Sequence, residues 1–287
     1  FLKFSSVPNQ DDLDGLAADE ASDASKLAHK PSAFGYPQLV LGMIAIFVYV
    51  GVEVSTISNL PAYLELPVSE GGLGIETSLI APFVSLYWAS LMIGRWAGAA
   101  GAFDVAKRTK WMLTILLPYL AFGVFLAVNA FANHEISHFF MYGFVIVLMI
   151  AATFASRGNP ARMLLYFAIC GIAALVIGML TTGMTSVVAF ISVGLFCSTM
   201  WPCIFTLAIT GLGRNTNQGS SLLIMMIMGG GIVSWLQGVI ADMHGIHYSF
   251  VVGVLCFAYL AFYAIAAKRA LQKQGIDLDA LTAQGGH

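Results

Sequence analysis

Eight runs of apolar residues dominate this chain, at 38–64, 78–102, 111–131, 138–155, 161–180, 184–211, 218–242 and 247–268. An α-helix rises ~1.5 Å per residue, so about 20 residues cross a hydrocarbon layer of ~30 Å. All but the shortest run, 138–155, meet or approach that length. Each helix satisfies its own backbone hydrogen bonds, which lipid cannot do for it. The runs therefore predict an all-α integral membrane protein of about eight helices.

Composition excludes the soluble alternative. Of the 287 residues, 59 % are hydrophobic and 10 % charged, whereas a soluble domain carries about 25 % charged residues. No water-soluble fold of this size has enough interior to hide that apolar surface. The net charge of −2 gives no electrostatic footprint for nucleic acid, so none is expected as a partner. Cys170, Cys197, Cys203 and Cys256 all lie within apolar runs. They read as small buried hydrophobes rather than a disulfide or metal framework.

Residues 1–36 are polar and acidic, with Asp11, Asp12, Asp14, Asp19, Glu20 and Asp23 outnumbering Lys3, Lys26 and Lys30. This composition predicts a loop. A transmembrane bundle is expected over 37–268 and a short cytoplasmic tail over 269–287. The chain begins at Phe1 rather than Met, and a preceding segment is expected. If the N-terminal segment is cytoplasmic and the helices alternate, twelve basic residues fall on the inner side, from Lys3 to Lys273. The outer links then hold no Lys or Arg, and Arg95 lies inside a run. That sorting obeys the positive-inside rule and demands an even number of spans.

Small residues and prolines shape the helices. Gly94 and Gly98 form a G-x-x-x-G, and Gly229, Gly230 and Gly231 a cluster; both suit close helix approach in lipid. Pro61 and Pro202 predict kinks in the first and sixth helices, because proline lacks a backbone donor.

Only two charges fall within the runs, Glu53 and Arg95. An intramembrane charge is costly and marks a functional candidate. Glu53 is fifteen residues from the inner end of its run, roughly 22 Å deep. Arg95 is seven from its own inner end, roughly 10 Å deep, so a direct ion pair is not expected. Tyr49, Asn59, Tyr87, Trp88, Trp201, Trp235 and Gln237 also lie within the runs. Aromatic rings stack on the apolar faces of a sugar, while amides and carboxylates take its hydroxyls.

One motif points elsewhere. His134, Glu135, Ile136, Ser137 and His138 read H-E-x-x-H. On a helix this spacing sets two imidazoles on one face for zinc, with the glutamate as base. An intramembrane zinc metalloprotease is therefore an alternative. The motif lies in an outer link, and Met141 and Phe144 stand where the extended form has Gly and His.

A family resemblance runs along the chain. The stretch 201–242, WPCIFTLAITGLGRNTNQGSSLLIMMIMGGGIVSWLQGVIAD, resembles the tenth and eleventh helices of the fucose–galactose–glucose:proton symporter family, and GLFCSTM before it fits the same pattern. HGIHYSF and VLCFAYLAFYA resemble the twelfth helix; YVGVEVS at 49–55 and YWASLMIGRW at 87–96 resemble the seventh and eighth. Glu53 and the Tyr87–Trp88 pair favour the glucose/galactose branch.

This resemblance implies the major facilitator fold, two six-helix bundles rocking about a central sugar site, of which this chain is the C-terminal bundle. It implies that 1–36 comprises the end of a sixth helix and the inter-bundle loop. It makes 111–155 a pair of helices inserted between the eighth and ninth. Arg95, in GRWAG, matches the family's cytoplasmic gating motif. The function implied is hexose-type sugar:proton symport across a bacterial-type cytoplasmic membrane, with an N-terminal bundle of the same protein as partner and no cofactor. Glu53, Asn59, Tyr87, Trp88 and Gln237 are the expected sugar-binding residues and Arg95 the gate. A transporter-derived sugar sensor that moves nothing is the remaining alternative.

Overall fold

The computed structural model describes residues 32–70, 72–99 and 106–279. The loop expected over 1–36 lies outside the described residues as far as position 31, as does the tail from 280 onward. Eleven helices follow one another: α1 Pro37–Glu65, α2 Ala81–Ala99, α3 Lys107–Phe131, α4 Tyr142–Ser156, α5 Pro160–Leu180, α6 Gly183–Cys197, α7 Met200–Ile209, α8 Thr216–Met225, α9 Gly229–His244, α10 Ile246–Ser249 and α11 Val251–Lys273. They compose eight spans long and apolar enough to cross a membrane, one over each expected run.

The sixth and seventh spans are broken along their length rather than kinked. The sixth divides at Ser198 and Thr199, where Ser198 turns its amide and its hydroxyl onto the Leu195 carbonyl. Pro202 falls in the first turn of α7, where a missing N–H leaves no intrahelical bond unmade. The seventh span passes through a 3₁₀ turn at Met226–Met228 before α9 begins at Gly229. Pro61 does lie inside α1.

α1 is the central post. It packs against α9, α11 and both halves of the sixth span, while α5 packs on α11 and α6, and α2 on α6. Close approach is bought with glycine at the contacts. A β-carbon on Gly229 would collide with the Phe47 carbonyl of α1, and one on Gly94 with the Ser198 hydroxyl at the break in the sixth span. A β-carbon on Gly98, the second glycine of the G-x-x-x-G, would meet the Thr199 methyl at 3.9 Å, an ordinary contact, so the motif faces the break in the sixth span but only Gly94 is required there.

The helices α3 and α4 stand at the rim. α3 packs on α2, and α4 on α5, α3 and α6. Their outer faces present Trp111, Leu116, Val128, Phe144 and Val147, side chains that lipid solvates without cost.

Polar ties hold the basic end of the bundle. Gln38 at the start of α1 and Gln274 just past α11 exchange amide hydrogen bonds of 3.2 and 2.8 Å. Gly275, at φ 83°, reverses the chain and returns Asp279 to the start of α5. Its carboxylate accepts from Lys268 Nζ at 2.8 Å and Asn159 Nδ2 at 2.6 Å, and pairs with Arg162 at 3.1 Å. The Lys268 hydrogen bond, with Arg162 and Asn159 behind it, holds the Asp279 carboxyl below the ordinary carboxylate range.

Candidate functional site

Glu53 is the junction of three helices. Its backbone carbonyl accepts a 2.7 Å hydrogen bond from the Tyr87 hydroxyl of α2. Its carboxyl meets the Tyr49 hydroxyl one turn back on α1 and lies within electrostatic reach of Arg95 on α2 and Cys197 on α6. Among the described residues Arg95 makes no ion pair with it. The Tyr49 ring is buried and stands edge-on to Trp201 of α7, 6.1 Å between centroids. The Glu53 carboxyl thus meets one phenol, its backbone carbonyl a second, and an indole stands against the first.

The remaining expected site residues divide between two environments. Trp88, beside Tyr87 on α2, is 50 % exposed, and Arg95 is exposed below it. Trp235 on α9 is 69 % exposed. Tyr87 and Gln237 are fully buried: Tyr87 lies against Gly194 of α6, and Gln237 donates to the Ser249 hydroxyl at the α9–α10 corner. Asn59 is half-buried, with its amide bonded back to the Ser55 carbonyl at 2.9 Å. The structure therefore joins Glu53 to Tyr87 directly and keeps Gln237 in a separate helix contact.

Four buried polar atoms have no partner among the described residues: Ser55 Oγ on α1, Thr199 Oγ1 at the break, and Ser234 Oγ and Gln237 Oε1 on α9. Sequence reasoning singled out none of the three hydroxyls. The one available signal is a hydroxyl residue flanking an intramembrane charge or a proline, as Ser55 flanks Glu53 and Thr199 flanks Pro202.

The zinc arrangement does not form. Residues 134–136 lie in a non-helical turn after α3, so the two imidazoles lack the helical face that the spacing requires. His134 instead faces the Asn129 amide at 3.2 Å, and His138 approaches Glu135 at 3.7 Å on the exposed surface. No group of three His, Cys, Asp or Glu side chains able to hold a metal occurs among the described residues.

Comparison with solved structures identifies the architecture. A crystal structure of the major facilitator transporter FucP in its outward conformation superposes at a TM-score of 0.57, with 24 % identity, over 80 % of this chain and 42 % of that one. A glucose/galactose transporter of Brucella abortus is 35 % identical over 239 residues, 83 % of this chain and 44 % of the relative. The chain has the fold of that major facilitator structure. A putative glucose/galactose transporter of Helicobacter pylori is 27 % identical over 86 % of the chain and 48 % of its own length. The chain thus spans about half the length of the curated relatives it matches, and it is a multi-pass integral membrane protein. No family model matches the chain.

Proposed function

We propose that this chain is the C-terminal bundle of a secondary transporter that carries a hexose-type sugar with protons across a bacterial cytoplasmic membrane. The observation that supports the reading is the Glu53 junction, a carboxyl within a span that meets the Tyr49 phenol, with the Trp201 indole against that ring and the Tyr87 phenol on the Glu53 backbone carbonyl. A sugar needs that mixture: flat apolar walls for its C–H faces and acceptors for its hydroxyls. The named relatives are glucose/galactose transporters, which supports the hexose class.

In this mechanism no bond is made or broken. The second bundle closes over the site and the two rock about the bound sugar, with the downhill movement of the proton supplying the free energy for uphill movement of the sugar. Glu53 accepts sugar hydroxyls or carries the coupled proton. Tyr87 fixes the backbone at Glu53 from behind, Asn59 and Trp88 complete the wall, and Gln237 sets the α9–α10 corner through Ser249. Arg95, exposed toward the basic end of α2, is the gate.

The test is accumulation by the complete two-bundle protein in vesicles. Glucose or galactose is expected to concentrate under an inward proton gradient and to run down when a protonophore collapses it. Binding of the sugar with no transmembrane movement would replace the transporter with a sensor, and accumulation indifferent to the protonophore would remove the proton.

A further inference from the structure

A second polar feature lies at the basic end of the bundle, on helices that supply none of the Glu53 neighbours. A cavity of ≈ 350 Å³ opens between the first turns of α5 and the last turns of α11. Arg162, Lys268, Arg269 and Gln272 line its polar part, and Leu165 and Ile265 its apolar part.

The order of these residues along the helices matters. Arg162 is two residues from the start of α5, and Lys268 and Arg269 are within five of the end of α11, which puts the charges within about 8 Å of the helix ends. Leu165 and Ile265 lie deeper by three or four residues, about one helical turn. Ile265 is exposed on the outside of the bundle, where lipid runs. The groove therefore changes from cationic at the membrane surface to apolar toward the bilayer interior.

Its charge is not balanced. Asp279 is shared between Arg162 and Lys268, and Arg269, exposed, pairs with no carboxylate among the described residues. Three cations facing one carboxylate leave room for a further anion. A free phosphate would use the cations alone. An anionic phospholipid uses both halves, with its phosphate against Arg269 and Lys268 and the start of its acyl chains against Leu165 and Ile265.

We infer that the groove between α5 and α11 is a binding site for the phosphate headgroup of an anionic phospholipid. Basic pockets between helices at a membrane surface attract such headgroups by charge, and burial of the first methylenes adds to that attraction.

The test uses the purified chain in neutral detergent with equimolar phosphatidylglycerol and phosphatidylcholine, and native mass spectrometry to count retained lipids. Wild type is expected to retain phosphatidylglycerol preferentially. Arg269→Gln should weaken that preference about fivefold, the ratio for one basic residue at an anionic surface. Lys268→Gln together with Arg269→Gln should weaken it further. Arg214→Gln, which removes a basic residue outside the groove, should leave it unchanged, as should millimolar inorganic phosphate. Arg269 has no ion-pair partner among the described residues to lose, and unchanged phosphatidylcholine retention checks that the variants are folded. Equal retention of the two lipids by wild type would overturn the inference. So would an equal effect of Arg214→Gln, which would mean diffuse charge, or displacement by inorganic phosphate, which would mean a site for a free anion.

Discussion

Replacing Glu53 by Gln in the complete transporter is expected to lower sugar affinity roughly 10- to 150-fold, because a hydrogen bond to a charged acceptor is worth about 1.5–3 kcal/mol. The substitution keeps the length and the hydrogen-bonding shape of the side chain and removes the charge. The Tyr87 bond should survive it, since Tyr87 donates to the backbone carbonyl rather than the carboxylate. The helix junction thus remains while the chemistry changes. Binding, exchange and uphill accumulation, measured in parallel, separate the two roles open to this carboxyl. A fall in affinity assigns it to the sugar. Intact binding and exchange with accumulation lost assign it to the proton. Wild-type values in all three would leave Glu53 a packing residue and the site elsewhere.

A comparably large effect, on stability rather than transport, is expected from one methyl group on Gly229. A β-carbon there would strike the Phe47 carbonyl, and backbone cannot swing aside as a side chain can. Overpacking of this kind costs about 1–3 kcal/mol. Gly231, two residues on in the same helix, has open space around it and serves as the control. Alanine gains at most ~1 kcal/mol of helix propensity over glycine at either position, so the difference between the variants isolates the α1–α9 contact. Gly229→Ala is expected to lower the melting temperature in detergent and Gly231→Ala to leave it unchanged or raise it. Equal melting temperatures would mean that α1 and α9 do not approach as closely as described.

The spans were legible in the sequence because a bilayer imposes one length and one polarity on all of them. The expected sorting of the basic residues to one side rests on an equally simple electrostatic reason. Orientation of individual side chains was not legible. A helix in lipid is apolar on its buried and its lipid-facing sides alike, so no polar stripe marks which side is which. Tyr87 and Trp88 illustrate this. They are consecutive and chemically alike, yet ~100° of helical rotation puts one against Gly194 in the interior and leaves the other half exposed. Gln237, polar and within a span, resembled a pocket group and proved fully buried at a helix corner. The breaks at Ser198 and Met226 were hidden as well. Proline 202 marked the first only approximately, and the second holds no proline. His134 and His138 erred in the other direction, since the spacing of H-E-x-x-H carries zinc chemistry only on a helix and 134–136 is a turn.

The junction also relates the fold to the work proposed for it. Tyr87 ties α2 to α1 at Glu53, and Ser198 sits against Gly94 where the sixth span breaks. Both ties lie between α2 and the helices that surround Glu53, so a movement of α2 that carries Arg95 also bears on the carboxyl. Coupling of gate and site through one helix needs no additional relay.

Alternating access requires two bundles around one site, and the measurement that tests this most directly is counterflow of labelled glucose or galactose in proteoliposomes, performed on this chain alone and on the chain reconstituted with the N-terminal bundle that the proposed function requires. The proposed function predicts no exchange above protein-free vesicles from the chain alone and saturable exchange from the pair. Saturable exchange by the chain alone would contradict it.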